Sequence, residues 1–423
     1  AGRKEPGTDE YELQKNIIKN LEIPFECAVQ DNILPLDEYD FIIDAMFGIG
    51  LSRDVTGVYA QIIDEINRVS AVKVAVDIPS GLSAGIVQVS NKKVKADYTV
   101  TFGYNKTGIM FYPGASYSGS VEVINAGFVT DDILHSKVEG FGSIFTYDDK
   151  DAGRLLVRKP DSNKGTYGRT LIIAGSKNMG GAAILSASAA YRSGTGLVKV
   201  LTHEVNKTAL LCRMPECLIS TYLDNMPLAA ELKADFEWAK SIAVGPGLSM
   251  NGVAAELTRC VLEREDKVRI LDADALNIIA AEHIDYKGSS EGKIIITPHI
   301  MEMSRLTGKT VADIKEHMIE SAKEYAIQHS CICILKDART VVTDGQKVYI
   351  NCTGNDGMST GGCGDVLTGL IAGMTAMGLD AFEAACLSVY VHGKAGDYAA
   401  AGKGRAGMTA ADISEAIAYV LKR

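Results

Sequence analysis

The sequence predicts an α/β protein of two domains, each built on a mostly parallel sheet. Strand-like runs alternate with helical spacing of apolar residues along most of the chain. Nearly every strand-like run ends in a glycine-rich or polar turn. The length, 423 residues with 47% hydrophobic content, suits two or three cores rather than one.

A helix is expected over 11–20 and an apolar run over 23–29. Strands are expected at 41–47, 72–76, 98–102 and 121–124, with a helix at 59–67. A charged, loosely patterned stretch, 130–159, follows. The boundary is placed in it near 137, giving domains 1–137 and 138–423. The second domain opens with a strand at 170–174, a turn at 175–181 and an alanine- and serine-rich helix to Arg192. Its stripe Ile184, Ala187 and Tyr191 reads as core. Further strands are expected at 242–244, 268–271, 294–296, 332–335, 340–342 and 348–350. In open α/β sheets ligands gather at the carboxyl ends of strands, so the polar motifs there point to one edge.

Composition excludes several classes. A net charge of −10 argues against a general nucleic-acid binder. No apolar run reaches about 18 residues, and no secretory signal stands at the start. Nine scattered cysteines without a CxxC pair argue against a disulfide framework or zinc site, and for a reduced, cytoplasmic protein.

The central motif is Asn355-Asp356-Gly357-Met358-Ser359-Thr360-Gly361-Gly362-Cys363-Gly364-Asp365, ahead of an apolar helical run at 366–374. Glycines uncover backbone N–H groups, and a helix N-terminus favours anions. Such a loop can cradle a terminal phosphate while Asp365 deprotonates an attacking hydroxyl. The alternative is a connector with Asp365 as a plain N-cap. The usual P-loop Lys followed by Ser or Thr is absent. Asp272 and Asp274 leave two readings open, indirect Mg²⁺ binding and a strand-ending turn. His299 can be a ligand contact or a turn residue. Cys363 stands where a helix dipole can lower a thiol pKa, but no histidine is near it in sequence. Asp397 and Asp412 read as structural or solvated. In the first domain, the runs 41–50 and 76–82 end neighbouring strands in polar turns whose oxygens can hold a hard cation. Asp77 can act as acid or base. The other reading is two polar turns.

With these motifs in this order, residues 164–413 resemble the ADP/ATP-dependent NAD(P)H-hydrate dehydratases, which have a ribokinase-like fold. The resemblance rests on Lys164-Gly165-Thr166-Tyr167-Gly168-Arg169, Gly245-Pro246-Gly247-Leu248, Leu271-Asp272-Ala273-Asp274-Ala275-Leu276, Thr297-Pro298-His299, the loop 355–365 and His392-Gly393-Lys394-Ala395-Gly396-Asp397. It implies that Asp365 contacts the hydrated nicotinamide and serves as base. It implies that Ala182, Gly247, His299, Glu302 and Arg305 line the NAD(P)HX pocket. The adenine nucleotide would be held by Lys336, Asp337, Ala338, Arg339 and Thr340, with Asn355, Gly357, Met358, Ser359, Thr360, Gly361, Gly362, Cys363 and Gly364. Three positions depart from the family pattern: Cys363, where Thr or Ser is usual; Asp337, where Gly is; and Ile300-Met301, where Pro-Gly is. Asp337 adds negative charge beside the nucleotide region.

The first domain resembles an NAD(P)HX epimerase, a Rossmann-like domain, through residues 41–50, 76–82 and 96–106. The resemblance implies Asp44 and Ser80 as potassium ligands, and Gly48, Ile49, Gly50, Asp54 and Asp77 as NAD(P)HX contacts. The family's Asn-Asn-Gly-Gly-Asp-Gly loop is not found. The domain is therefore expected to be incomplete, short of about 80 residues by usual Rossmann anatomy, with little or no epimerase activity in this chain. The expectation is repair of hydrated nicotinamide cofactors: nucleotide-dependent dehydration of the S epimer of NAD(P)HX, and epimerisation of R and S forms in the complete protein. ADP is the favoured phosphoryl donor over ATP, with Mg²⁺ and K⁺ as ions. NAD(P)HX and adenine nucleotide are the partners, with no nucleic acid or membrane, in a homo-oligomer. Two other readings are a ribokinase-like small-molecule kinase and a non-catalytic nucleotide sensor.

Overall fold

Short β-branched runs form the strands and the segments between them coil into helices in a computed structural model that describes residues 8–25, 28, 35–128, 144–155, 158–224, 231–289 and 293–422. The chain divides into two units, Ala1–Thr130 and Asp131–Arg423. The expected boundary near 137 lies outside the described residues, as do Cys27 and part of the run 23–29.

The first unit holds a four-stranded parallel sheet, β1 (Phe41–Asp44), β2 (Val72–Val76), β3 (Tyr98–Phe102) and β4 (Ser120–Ile124), in that spatial order. The helix Gly57–Arg68 buries Ile63 and Ile66 against Val55 and Val94. β1 is shorter than the expected 41–47. Its end turns inward because the Asp44 carboxylate accepts the Met46 and Ser80 N–H groups, and the Phe47 N–H goes to Ser80 Oγ instead of to a ladder.

The second unit is organised by a ten-stranded sheet. Its strands are β5 (Ile144–Phe145), β6 (Arg169–Ile173), β7 (Leu197–His203), β8 (Leu218–Tyr222), β9 (Ser241–Val244), β10 (Val268–Leu271), β11 (Ile294–Ile296), β12 (Ile332–Leu335), β13 (Val341–Thr343) and β14 (Val348–Ile350). The order is β5-β14-β13-β12-β11-β10-β9-β6-β7-β8, with β13 antiparallel to both neighbours and the other pairs parallel. The chain steps outward from β6 through β7 to β8, then returns to β9 and builds the other way. That reversal opens a crevice at the carboxyl ends of β6 and β9. β9, β11, β12, β13 and β14 are buried at every position, as a sheet covered on both faces requires.

Three strands were not legible beforehand. β5 is two residues long. β7 carries Lys199, whose ammonium pairs with Asp235 at 2.5 Å, and β8 is rich in hydroxyls. Small residues bring the helices Gly180–Ser193 and Cys363–Ala376 into backbone contact. A Cβ on Gly369 would lie 1.9 Å from the Ser186 carbonyl oxygen. The stripe Ile184, Ala187 and Tyr191 packs into the core beside this contact. Among the described residues, no helix is long and apolar enough to cross a membrane.

Candidate active site

Five parallel strands deliver the expected motifs to one edge of the second unit. The turns after β6 and β9 are stitched together: Gly175 N–H donates to the Pro246 carbonyl at 2.9 Å and Ser176 N–H to that of Gly247 at 2.6 Å. Gly247 has φ +57°, and a Cβ there would sit 2.8 Å from Ala182 Cβ, so Ala182 and Gly247 do meet. After β10, Ala273 holds φ +47° without being glycine. Such strain persists only where the surroundings impose it. Here Asp272 and Asp274 flank it, and Asp274 accepts the Ser249 N–H at 2.7 Å.

Asp272 ties four elements together. It is 1% exposed and accepts from Lys336 Nζ at 2.9 Å, Thr297 Oγ1 at 2.7 Å and Thr368 Oγ1 at 2.7 Å. Burial pushes its carboxyl up, but the Lys336 charge and the three hydrogen bonds outweigh that and hold it below the ordinary carboxylate value. Burial likewise opposes the Lys336 charge, and the facing Asp272, Glu302 and Asp365 carboxyls raise its pKa. Asp365 sits in the first turn of Cys363–Ala376, one turn before Thr368. Burial pushes its carboxyl up to about 7, with Asp272 and Asp274 adding to the rise and Lys336 opposing it. Its own carbonyl accepts from Ser186 Oγ at 2.9 Å. The group is a half-buried carboxyl with its pKa raised toward neutrality, not a salt-bridged surface acid.

The glycine loop lies along the helix Ala381–Lys403. Cβ atoms on Gly393 and Gly396 would fall 2.1 Å from Thr353 Oγ1 and 2.3 Å from Met358 Sδ, so glycine permits the contact. Asp397 accepts from Gly354 N–H and Asn355 Nδ2, each at 2.9 Å, which is the structural role expected of it. Asp412 caps the helix Ala410–Val420 through Thr409. Cys363 corrects the sequence reading. Burial raises its thiol pKa, where the helix dipole suggested a fall. A histidine is near it in space: the ring of His392 donates to the Cys363 carbonyl, and burial outweighs that bond and lowers the imidazole pKa to about 4. The thiol itself accepts the Thr360 N–H and braces the loop.

His299 is the N-cap of the helix Ile300–Thr307. Its Nδ1 accepts the Met301 and Glu302 N–H groups while Glu302 accepts the His299 N–H at 2.8 Å. Burial, then Lys336 and Arg305, push the imidazole pKa down, and the half-exposed ring places its Nε2 3.3 Å from Glu302 Oε1. Arg305 donates to Asn277 at 2.7 Å. Lys336 is largely enclosed, whereas Asp337 and Ala338 are exposed, with the Asp337 carbonyl accepting from Thr340. Arg339 donates to the Ala338 carbonyl.

In the first unit Asp44 and Ser80 are both 1% exposed and adjoin: Ser80 Oγ donates to Asp44 Oδ1 at 2.6 Å and Ser80 N–H to Oδ2 at 2.7 Å. Asp77 has φ +67° and is engaged by Lys106 Nζ at 2.5 Å, Thr101 Oγ1 and the Phe102 N–H. Asp54 accepts from Val55, Ser90 and Asn91, which braces its own turn, while Gly48, Ile49 and Gly50 are exposed. Among the described residues, no group of three or more His, Cys, Asp or Glu side chains is placed to hold a metal ion.

Sequence reasoning missed Thr368, named Thr297 and His392 only within motifs and without a role, and left Asp272 undecided. Their partners lie 25 to 96 residues away along the chain in the two bonds Asp272 shares with Thr297 and Thr368, beyond any local pattern.

Residues 170–419 match the family model of NAD(P)H-hydrate dehydratase, and residues 1–108 that of the YjeF-related protein N-terminus. A bifunctional NAD(P)H-hydrate repair enzyme of Moorella thermoacetica is 37% identical over 392 residues, covering 90% of this chain and 73% of the relative. The Escherichia coli enzyme of that name is 34% identical, covering 90% and 72%. The solved ADP/ATP-dependent NAD(P)H-hydrate dehydratase of Bacillus subtilis, co-crystallised with ATP and Mg²⁺, superposes with a TM-score of 0.57 at 30% identity, covering 65% of this chain and 96% of that one. A ribokinase-like protein of Enterococcus faecalis superposes with a TM-score of 0.60 at 27% identity, covering 66% and 96%.

Proposed function

The chain belongs to the family of bifunctional NAD(P)H-hydrate repair enzymes, and on that premise we propose that its second unit dehydrates the S epimer of NAD(P)HX with Asp365 as the base. One observation carries the assignment. Asp365 is a mostly buried carboxyl with its pKa raised to about 7, in the first turn of a helix that follows a glycine loop at the sheet's ligand edge.

The hydroxyl on C6 of the reduced nicotinamide leaves poorly as hydroxide. Asp365 accepts its proton, and the freed oxygen attacks the terminal phosphorus of ADP or ATP. The bond from that phosphorus to the bridging oxygen breaks, leaving a nucleotide one phosphate shorter. The C6–O bond then breaks toward phosphate while the ring nitrogen forms its double bond to C6. Loss of the C5 proton completes NAD(P)H. Gly364 and Asp365 would present first-turn N–H groups to the moving phosphate, and Lys336 would add positive charge. Ala182, Gly247, His299, Glu302 and Arg305 would seat the nicotinamide nucleotide, and the segments 336–340 and 355–364 the adenine nucleotide. Mg²⁺ would be held chiefly by phosphate oxygens and water, because Asp272 and Asp274 are occupied within the protein.

The first unit is assigned interconversion of the R and S epimers in the bifunctional protein, with Asp77 as acid or base. Asp44 and Ser80 offer the hard oxygens that suit K⁺ and would hold it, the ion supplying a positive field at that strand edge. Neither the kinase nor the sensor reading is favoured. The test is incubation with NADHX and ADP or ATP, following NADH absorbance and free phosphate. Both should rise together, and near-wild-type turnover by folded Asp365→Asn would refute the assignment.

A further inference from the structure

The base and the phosphate-facing cation stand close to each other, and left alone they would pair. A Cβ on Gly364 would be 3.5 Å from Lys336 Nζ and 3.9 Å from Asp272 Oδ2, so both groups lie directly beneath the turn that carries Asp365. An Asp365–Lys336 ion pair would lower the pKa of the base and neutralise the cation together. Lys336 instead donates to Asp272 at 2.9 Å and acts on Asp365 only through space. The same Asp272 carboxylate takes Thr368 Oγ1 with its other oxygen, and Thr368 is one turn below Asp365 on the same helix.

We propose that Asp272 is a positioning residue for the phosphoryl transfer: by holding Lys336 and Thr368 together, it keeps the ammonium beside Asp365 without pairing to it and fixes the turn that carries the base. This rests on the reading of Asp365 as base. The charged groups acting on Asp365 are Asp272, Asp274 and Lys336, and those acting on or sensing Lys336 are Asp272, Glu302, Asp365, His299 and His392. Asp272 stands first among the charges acting on Asp365, so its removal moves the base in one direction.

The experiment is the pH profile of dehydration by Asp272→Asn, which keeps the shape and removes the charge. The acid limb should move about one pH unit lower, because the like charge is gone and Lys336 is released toward Asp365. Turnover on the plateau should fall about tenfold or more through loss of base strength and alignment, with the KM for nucleotide changed less. Thr368→Val keeps the charge and should leave the limb in place while lowering stability, as a purely structural role for Asp272 would not predict for the two variants together. If Asp272→Asn does not fold, Lys336→Gln carries the test in the opposite sense, moving the limb upward. A folded Asp272→Asn with an unmoved limb, or a Lys336→Gln limb that stays put, overturns the proposal alone. A wild-type enzyme without an acid limb near pH 7 overturns the base reading on which it rests.

Discussion

Replacing Asp365 by Asn should make the second unit more stable while it removes activity, and the gain should grow with pH. The carboxyl is held at about 7 against an ordinary 3.8, with burial as the largest cause. The charged form is therefore destabilised by about 3 pH units, or about 4 kcal/mol at 1.36 kcal/mol per unit. Residual exposure of the carboxylate screens part of this, which leaves about 2–4 kcal/mol. An acid whose folded pKa is raised contributes its full stability below the unfolded value, and that stability is lost as pH rises through the folded value. Wild type therefore weakens relative to the variant between about pH 4 and pH 8. Shifts of the other carboxyls are common to both proteins and cancel in the comparison. The assay is urea denaturation at pH 4.5 and pH 8.5. The single tryptophan, Trp238, lies in the second unit with Lys199 Nζ 4.6 Å from its ring, so its fluorescence reports that unit alone. The variant midpoint should exceed wild type by about 1 M urea at pH 8.5 and by only about a quarter of that at pH 4.5. An equal gain at both values, or none at pH 8.5, would refute the argument that Asp365 is a desolvated charge.

Two other perturbations separate the two halves of the site. Gly247→Ala places a methyl at φ +57°, 2.8 Å from Ala182 Cβ. The left-handed backbone and the overlap together should cost about 2–4 kcal/mol, seen as a lower Tm and a KM for NAD(P)HX raised about tenfold, with the KM for nucleotide little changed. Asp397→Ala removes the acceptor for Gly354 N–H and Asn355 Nδ2. A loss of about 1–2 kcal/mol of loop order should raise the KM for nucleotide about tenfold and leave that for NAD(P)HX near wild type, by steady-state kinetics with each substrate varied in turn.

Much of this molecule is written in local pattern. β2, β3, β10, β11, β12 and β14 end where their apolar runs end, each stopped by glycine or a polar residue: Asp77, Gly103, Asp272, Thr297, Lys336 and Asn351. The loop ahead of Asp365 is equally legible, since its glycines and the apolar run behind it are contiguous. What stays hidden depends on contacts across the sheet. Asp272 reads as a turn acid until β12 brings Lys336 from 64 residues away. The motif at 392–397 was informative only as a resemblance. The structure gives four of its residues a reason: His392 donates to the Cys363 carbonyl, Gly393 and Gly396 make room for the loop, and Asp397 fastens its start. Cys363 misled because the helix dipole acts on an exposed thiol, whereas this one is buried and burial dominates. β7 escaped because its lysine and histidine find partners, Asp235 and Asp224, that the strand pattern cannot announce.

The backbone contact between Gly180–Ser193 and Cys363–Ala376 sets a mechanical limit on what this site can become. The first helix starts beside Ala182 and the second beside Asp365, and they are fastened at Gly369 against Ser186 and at Gly373 against Ser193. At Gly369 the contact is backbone on backbone, and at Gly373 the Ser193 hydroxyl fills the gap, so the spacing of the two helices is set by glycine and serine and not by long side chains. Nucleotide choice can drift with the outer loops. Any side chain larger than glycine at 369 or 373 would push the two helices apart and carry Asp365 with them.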